Sequence, residues 1–284
     1  MKRVLLAAAG VALLTAPSAL SADLRMPVKA APVAVAAFDW SGFYIGINGG
    51  GKWMRGDGDP GFVSVPATPP IPANATRVDF EGKSATFGGQ MGWNWQFARQ
   101  FMIGIEGDFN WTDLNSTFTL SGTPGVPFVG TFPGNAPDSF SWRMRWEASI
   151  RGRLAWLAGP GMLYLTGGLA LADVTVNGNF PVFSIPGGPV FPASAGSSSK
   201  VLTGWTAGIG GEFAINQNWS LGTEYRYSNY GREAFGVGTV AVLPAPGGGF
   251  INAPATVDHD FSTHELLVKL NYRFSWAGPL SARF

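Results

Sequence analysis

The chain of 284 residues has no cysteine and only two histidines. The first absence excludes disulfides and a lipid anchor on an N-terminal cysteine. The second leaves little for haem or metal, whose ligands are His, Cys or clustered carboxylates, and no cofactor is expected. Charge is also scarce: 13% of residues are charged and the formal net charge is +1. That balance offers no basic field for nucleic acid and no acidic tail. Beyond the N-terminal stretch no apolar run is long enough to cross a membrane as a helix. What abounds is glycine (40 residues), proline (21) and aromatics (13%, with 11 Trp). Low charge with so many aromatics suits sheets that meet lipid or are buried on both faces, and argues against disorder.

Lys2 and Arg3, an apolar stretch over 4–14 and the small residues Ala19-Leu20-Ser21-Ala22 read as a secretory signal peptide over 1–21, cleaved after Ser21 or Ala22. Residues 22–38 follow as a Pro/Ala-rich periplasmic linker without periodicity. From there to residue 274 the pattern changes. Segments 43–53, 85–97, 101–111, 142–156, 163–171, 201–215, 219–227 and 266–274 alternate bulky apolar residues with polar residues or glycine. Period-two segments of about ten residues, separated by turn residues, predict transmembrane β-strands. The connections run long and short in turn: 98–100, 158–161 and 216–218 are short, while 55–83, 113–141, 173–200 and 228–264 are long and rich in Gly, Pro and Ser. The expected fold is an all-β, eight-stranded antiparallel transmembrane β-barrel, with both termini periplasmic and four long loops outside. Residues 275–284 form a C-terminal extension.

Alternation alone leaves open which face meets lipid, because a soluble barrel alternates too. Glycines Gly42, Gly46, Gly88, Gly92, Gly104, Gly168, Gly204, Gly208 and Gly222 fall on the polar face, as a narrow filled interior requires. Trp and Tyr gather at segment ends. Trp40, Trp95, Trp156, Trp219, Tyr272 and Phe274 fall near the short turns, and Trp53, Trp111, Trp142 and Tyr227 near the long loops, as lipid-interface girdles would. On segment 142–156, Trp142, Met144, Trp146, Ala148 and Ile150 share one phase, and Arg143, Arg145, Glu147, Arg151 and Arg153 the other. The polar phase over the whole chain carries Arg143, Arg145, Arg151, Arg153, Arg226, Lys269 and Arg273 against Glu106, Asp108, Glu147, Glu212, Glu224 and Glu265. Charges in a low-dielectric lumen must be paired, so these residues are expected to form one network there.

Several stretches together carry a family likeness. They are Ala22-Asp23-Leu24, Trp40-Ser41-Gly42-Phe43-Tyr44-Ile45-Gly46, Thr166-Gly167-Gly168-Leu169-Ala170, Gly204-Trp205-Thr206, Trp219-Ser220-Leu221-Gly222-Thr223-Glu224-Tyr225-Arg226-Tyr227 and Leu270-Asn271-Tyr272-Arg273-Phe274. The chain resembles the small outer-membrane β-barrel proteins of alphaproteobacteria, porin-like surface antigens similar in architecture to the membrane domain of OmpA and to opacity proteins. The resemblance implies the outer membrane as location, with lipid, lipopolysaccharide and the assembly machinery as partners. Members of that family usually stop at the aromatic matching Phe274, whereas here residues 275–284 follow.

No enzymatic activity is expected. Asp260, Ser262 and His264 share one face, but alternate residues on a strand stand about 7 Å apart, too far for a nucleophile–base hydrogen bond. His259 and His264 read as rim residues, which weakens a haem-binding alternative. A lipid-modifying hydrolase is disfavoured by the same spacing. Against a small-solute porin stands the bore, since eight strands enclose a lumen that side chains fill. The expected role is a structural barrel serving envelope integrity and surface contact. The uncharged loop stretches 123–137, 180–192 and 240–254 are candidates for a surface partner.

Overall fold

The structure, a computed structural model, describes residues 38–59, 78–120, 138–184, 187–188, 190–242 and 251–274. The signal-peptide reading of 1–21, most of the linker and the extension 275–284 lie outside the described residues. Ten strands follow in order: β1 (Gly42–Asp59), β2 (Val78–Ala98), β3 (Phe101–Leu120), β4 (Asp138–Ala158), β5 (Gly161–Phe180), β6 (Phe183–Ser184), β7 (Val190–Phe191), β8 (Ser194–Ala214), β9 (Trp219–Val242) and β10 (Ile251–Arg273). Eight of them close a barrel in the order β1-β10-β9-β8-β5-β4-β3-β2, while β6 and β7 form a separate two-stranded sheet. Every barrel pairing is antiparallel, and closure is made by β1 with β10, from Tyr44 opposite Arg273 to Asp59 opposite Asp258.

The eight barrel strands are 18 to 24 residues long, about twice the expected ten. They continue through much of what the composition marks as loop: β5 runs on to Phe180, β8 starts at Ser194, and β9 reaches Val242. The cause is an inversion of polarity along the barrel axis. Near the short turns the outer wall is apolar, with Ile47, Met91, Ile105, Ile150, Leu165, Ile209 and Val268 all exposed. Aromatics border that belt, Trp95, Phe97, Phe101, Trp156, Phe213 and Trp219 on one side and Trp111, Trp205 and Tyr225 on the other. This matches an apolar band flanked by aromatic girdles.

Towards the long connections the phases exchange roles. Val174, Val176 and Phe180 turn inward, while Asn177 and Asn179 face out. Phe140, Trp142, Leu202, Phe235, Val237, Val257 and Phe261 complete an apolar core inside this part of the barrel. It packs by edge-to-face aromatic contacts, Trp142 on Phe235 at 5.7 Å and on Phe261 at 5.2 Å between ring centroids. A wall with apolar residues inside and Ser, Thr and Asn outside is that of a water-facing barrel.

Two bulges help to make the switch. On β4, Met144 faces Val174 and Trp146 faces Asp173, so Arg145 is an extra residue and the phase slips by one. On β9, Asn229 faces Ser262 and Gly231 faces Phe261, leaving Tyr230 as the extra residue. Gly231 sits there at φ 71°, a conformation that glycine adopts without strain. Beyond it Phe235 and Val237 point inward.

The inversion predicts a contrast between two arginine substitutions on the same outer face of β5. In urea unfolding from phospholipid vesicles, Leu165→Arg in the apolar belt should cost about 2–4 kcal/mol. Asn177→Arg, beyond the belt, should stay within about 0.5 kcal/mol. Equal costs would refute the boundary.

Candidate functional site

The lumen of the lower barrel is filled by an ion-pair network carried on six of the eight barrel strands. Strand periodicity brings Lys52 (β1), Glu106 and Asp108 (β3), Glu147, Arg151 and Arg153 (β4), Glu212 (β8), Glu224 and Arg226 (β9), and Glu265 and Lys269 (β10) inward, all buried. Arg151 is the hub. Its Nη2 lies 2.5 Å from Glu106 Oε1 and 2.8 Å from Asp108 Oδ2, and its Nη1 donates to Glu224. From the opposite wall, Lys269 Nζ reaches Glu106 Oε1 at 2.6 Å and Glu224 Oε2 at 3.0 Å.

Towards the apolar core the network continues through Arg226, which is 3.0 Å from Asp108, 3.2 Å from Glu224, 3.3 Å from Glu265 and 3.4 Å from Glu147. Lys52 caps it, paired with Glu147 and lying 2.9 Å from Glu265. Towards the short turns Arg153 pairs with Glu212 at 2.6 Å and lies over the Tyr164 ring, 3.7 Å from its centroid. Tyrosine hydroxyls use remaining carboxylate lone pairs: Tyr44 donates to Glu106 at 2.6 Å, Tyr164 to Glu224 at 3.0 Å and Tyr230 to Glu147 at 3.2 Å. Amides add to this, with Asn110 donating to Asp108 and Asn271 to Glu212. Most of these ions therefore have several hydrogen-bonding partners, whereas Glu265 is held by its ion-pair contacts with Lys52 and Arg226.

Glycine makes room for these side chains. A Cβ on Gly92 would lie 2.5 Å from the Tyr44 hydroxyl, and one on Gly210 would lie 2.4 Å from the Tyr164 ring. Apolar layers close both ends of the network. At one end is the core around Trp142; at the other Trp40, Met102, Ala155, Leu157, Met162 and Ala214 pack beneath Tyr164. Trp40 Nε1 donates to the Gly159 carbonyl across the barrel floor at 3.3 Å.

Three residues expected in the lumen network are elsewhere. Arg143 and Arg145 face outward, the β4 bulge having exchanged them with Trp142 and Met144, and pair with Asp113 at 2.7 Å and Asp173 at 2.8 Å. Arg273 stays at the short-turn mouth, where Nη2 donates to the Gln217 carbonyl at 2.5 Å and the guanidinium covers the Phe38 ring. Of the aromatics assigned to the interface, Trp142 and Trp40 are buried inside. Trp53, Trp95, Trp111, Trp156, Trp219, Tyr227, Tyr272 and Phe274 lie on the outer wall, exposed or half-buried.

Sequence reasoning passed over Lys52, Tyr44, Tyr164 and Tyr230. Parity signals the first: Lys52 shares its phase with Gly46 and Asn48, although it sits at the end of the segment. Among the described residues no His, Asp and Glu side chains converge on a metal geometry. His264 lies on the outer wall, its Nδ1 2.7 Å from the Tyr225 hydroxyl and its ring stacked on Trp53.

Loss of one network member should be costly, because the remaining charges stay buried. Glu224→Gln should destabilise by about 3–5 kcal/mol in urea unfolding. Breaking the exposed Arg143–Asp113 pair with Arg143→Met should cost about 0.2–1 kcal/mol. Similar small losses for both would mean that water enters the lumen.

Comparison with known proteins agrees with this architecture. Residues 7–274 match the family model of the outer membrane protein β-barrel domain. The chain is 32% identical over 235 residues to the 31 kDa outer-membrane immunogenic protein of Brucella melitensis biotype 1, covering 82% of this chain and 88% of that one. It is 24% identical to the 25 kDa outer-membrane immunogenic protein of Brucella abortus biovar 1, over 90% of this chain and 91% of the relative. Among solved structures it is similar to the outer membrane protein OprG from Pseudomonas aeruginosa, with 11% identity, a TM-score of 0.43, and coverage of 82% and 96% of the two chains. The eight-stranded closed barrel, the apolar outer belt and the family match lead to one conclusion: this chain belongs to the outer membrane protein β-barrel family and is a multi-pass protein of the bacterial outer membrane.

Proposed function

We propose that this barrel is a sealed structural element of the outer membrane, serving envelope integrity and surface contact rather than solute passage. The observation that carries the reading is the continuity of the filling. An apolar floor around Trp40, the network around Arg151 and the apolar core around Trp142 follow one another along the axis. A conducting path would need water beside Glu106, Arg151 and Lys269, whose side chains already meet across the bore. Water-filled channels belong to barrels of sixteen or more strands.

Surface contact is supported by a barrel that reaches well beyond its apolar belt and carries Asn, Ser and Thr on its outer wall there. The Brucella relatives are named immunogenic outer-membrane proteins, which agrees with a surface-exposed upper barrel. Outer-leaflet lipid and lipopolysaccharide are the partners this wall meets, and the assembly machinery inserts it. Of the uncharged stretches considered for a protein partner, 123–137 and 243–250 lie outside the described residues. The stretch 180–192 carries the small β6–β7 sheet, with Val190 in it and Val182 next to it both exposed.

The reading is tested by single-channel recording of the purified protein in planar bilayers. Silent membranes at protein densities that give heat-modifiable, folded barrels are expected. Stable openings of porin size would overturn the sealed barrel in favour of a small-solute channel.

A further inference from the structure

The two arginines expelled from the lumen have a counterpart directly below them. On the outer wall Met91, Gly107, Phe109, Ala148, Ile150 and Leu171 line an open apolar groove of about 600 Å³. Its floor is made of two neighbouring rungs of the sheet, Met91–Gly107–Ile150 and Phe109–Ala148–Leu171. The next rung is aromatic: Trp111 faces Trp146, with Phe109 packed 4.8 Å from Trp111 and 5.5 Å from Trp146 between ring centroids. Beyond that rung come Arg145 and Arg143. Arg143 lies four rungs from Ala148, opposite Thr175 where Ala148 is opposite Leu171, and Arg145 is the bulged residue between them.

The arginines are held but not used up. Asp113 and Asp173 each engage an Nε, leaving the terminal amino groups out of these two bonds, and the side chains are 56% and 58% exposed. Without the bulge they would sit in the apolar core and Trp142 would face outward. The fold thus sets two guanidinium groups on its outer wall, at the level where belt gives way to polar surface. Guanidinium groups favour phosphate oxygens through paired N–H donors, and anionic headgroups attract such residues at the bilayer surface.

We infer that β2–β5 form a binding site for an acylated outer-leaflet lipid carrying more than one phosphate, with an acyl chain in the Ala148 groove and the phosphates on Arg143 and Arg145. The inference rests on the proposed orientation, with the long connections outside. Two cations on one strand, Arg143 turned towards Asp113 on β3 and Arg145 towards Asp173 on β5, suit a headgroup with two separate phosphates better than a zwitterionic one. Trp111 and Trp146 lie between the two parts of the site, where the glycosidic or glycerol region would pass.

The test is native mass spectrometry of the full-length folded protein released from detergent with bisphosphorylated lipid A, monophosphoryl lipid A or dimyristoylphosphatidylcholine. Inorganic phosphate serves as the acyl-free probe. Wild-type protein should retain one bisphosphorylated lipid A in preference to the other two, and phosphate should not displace it. The double variant Arg143→Gln, Arg145→Gln should bind it about tenfold or more weakly. Ala148→Phe, which fills the groove on the lipid-facing wall, should lose affinity equally for all three lipids. Asp113→Asn, which frees Arg143, should tighten binding and so reports on the site even where an arginine variant folds poorly, with heat-modifiable migration as the folding control. Unchanged lipid A retention in both loss variants overturns the site, as does displacement by inorganic phosphate. Wild-type dimers that Ala148→Phe dissociates would also overturn it, assigning the groove to a second copy. Porin-like openings with this selectivity intact would sink the sealed barrel alone, whereas silent bilayers without the selectivity would sink this site alone.

Discussion

Everything in this barrel depends on a shortage of space and water inside eight strands. Side chains that face the lumen cannot be solvated, so each charge must find its partners among the others. Among the described residues five buried cations, Lys52, Arg151, Arg153, Arg226 and Lys269, meet the carboxylates of Glu106, Asp108, Glu147, Glu212, Glu224 and Glu265. The glycines follow from that packing, because Tyr44 and Tyr164 reach their carboxylates over Gly92 and Gly210. So does the proposed sealing, since ions that meet across the bore fill the space between the walls.

The second constraint is that the solvent outside the wall changes along the barrel. In the apolar belt the interior must be polar if strands are to alternate; beyond it the exterior meets water and the interior becomes an ordinary apolar core. A strict two-residue period cannot serve both regions on every strand. β5 manages the change by composition alone, keeping even-numbered residues inward from Met162 to Phe180 as they pass from Met and Tyr through Thr to Val and Phe. β4 and β9 instead insert a residue, and the insertion exchanges which of their side chains are inside. The same device that buries Trp142 brings Arg143 and Arg145 to the surface.

Much of the lower barrel is legible in the sequence because burial there follows the period. The odd residues of 85–97 do face outward, and Glu106, Arg151, Glu224 and Lys269 are all in the inward phase. The upper barrel is not legible in the same way. Stretches such as Thr175-Val176-Asn177-Gly178-Asn179-Phe180 alternate, but their Gly, Ser and Asn content reads as loop unless the inverted polarity is known. A bulge is less visible still. Nothing in Met144-Arg145-Trp146 marks an extra residue; only the cost of placing two arginines beside Phe235 and Phe261 argues for it. Lys52 escaped notice through position rather than phase, and Trp40 because a tryptophan at a strand end suits a floor as well as a girdle.

The network also has a temporal side. Several of its links join residues far apart in the chain: Lys269 to Glu106 spans 163 positions and Arg226 to Asp108 spans 118. None of these can form while the sheet is open, for they bridge opposite walls, and only the meeting of β10 with β1 brings those walls together. Contacts of such sequence separation form late, and interactions absent from the folding transition state act on the rate of unfolding rather than on the rate of folding. The charge pairs that cross the bore therefore work as a latch that engages after the last seam closes. Once it has engaged, the barrel's persistence is governed by how rarely the whole latch opens at once.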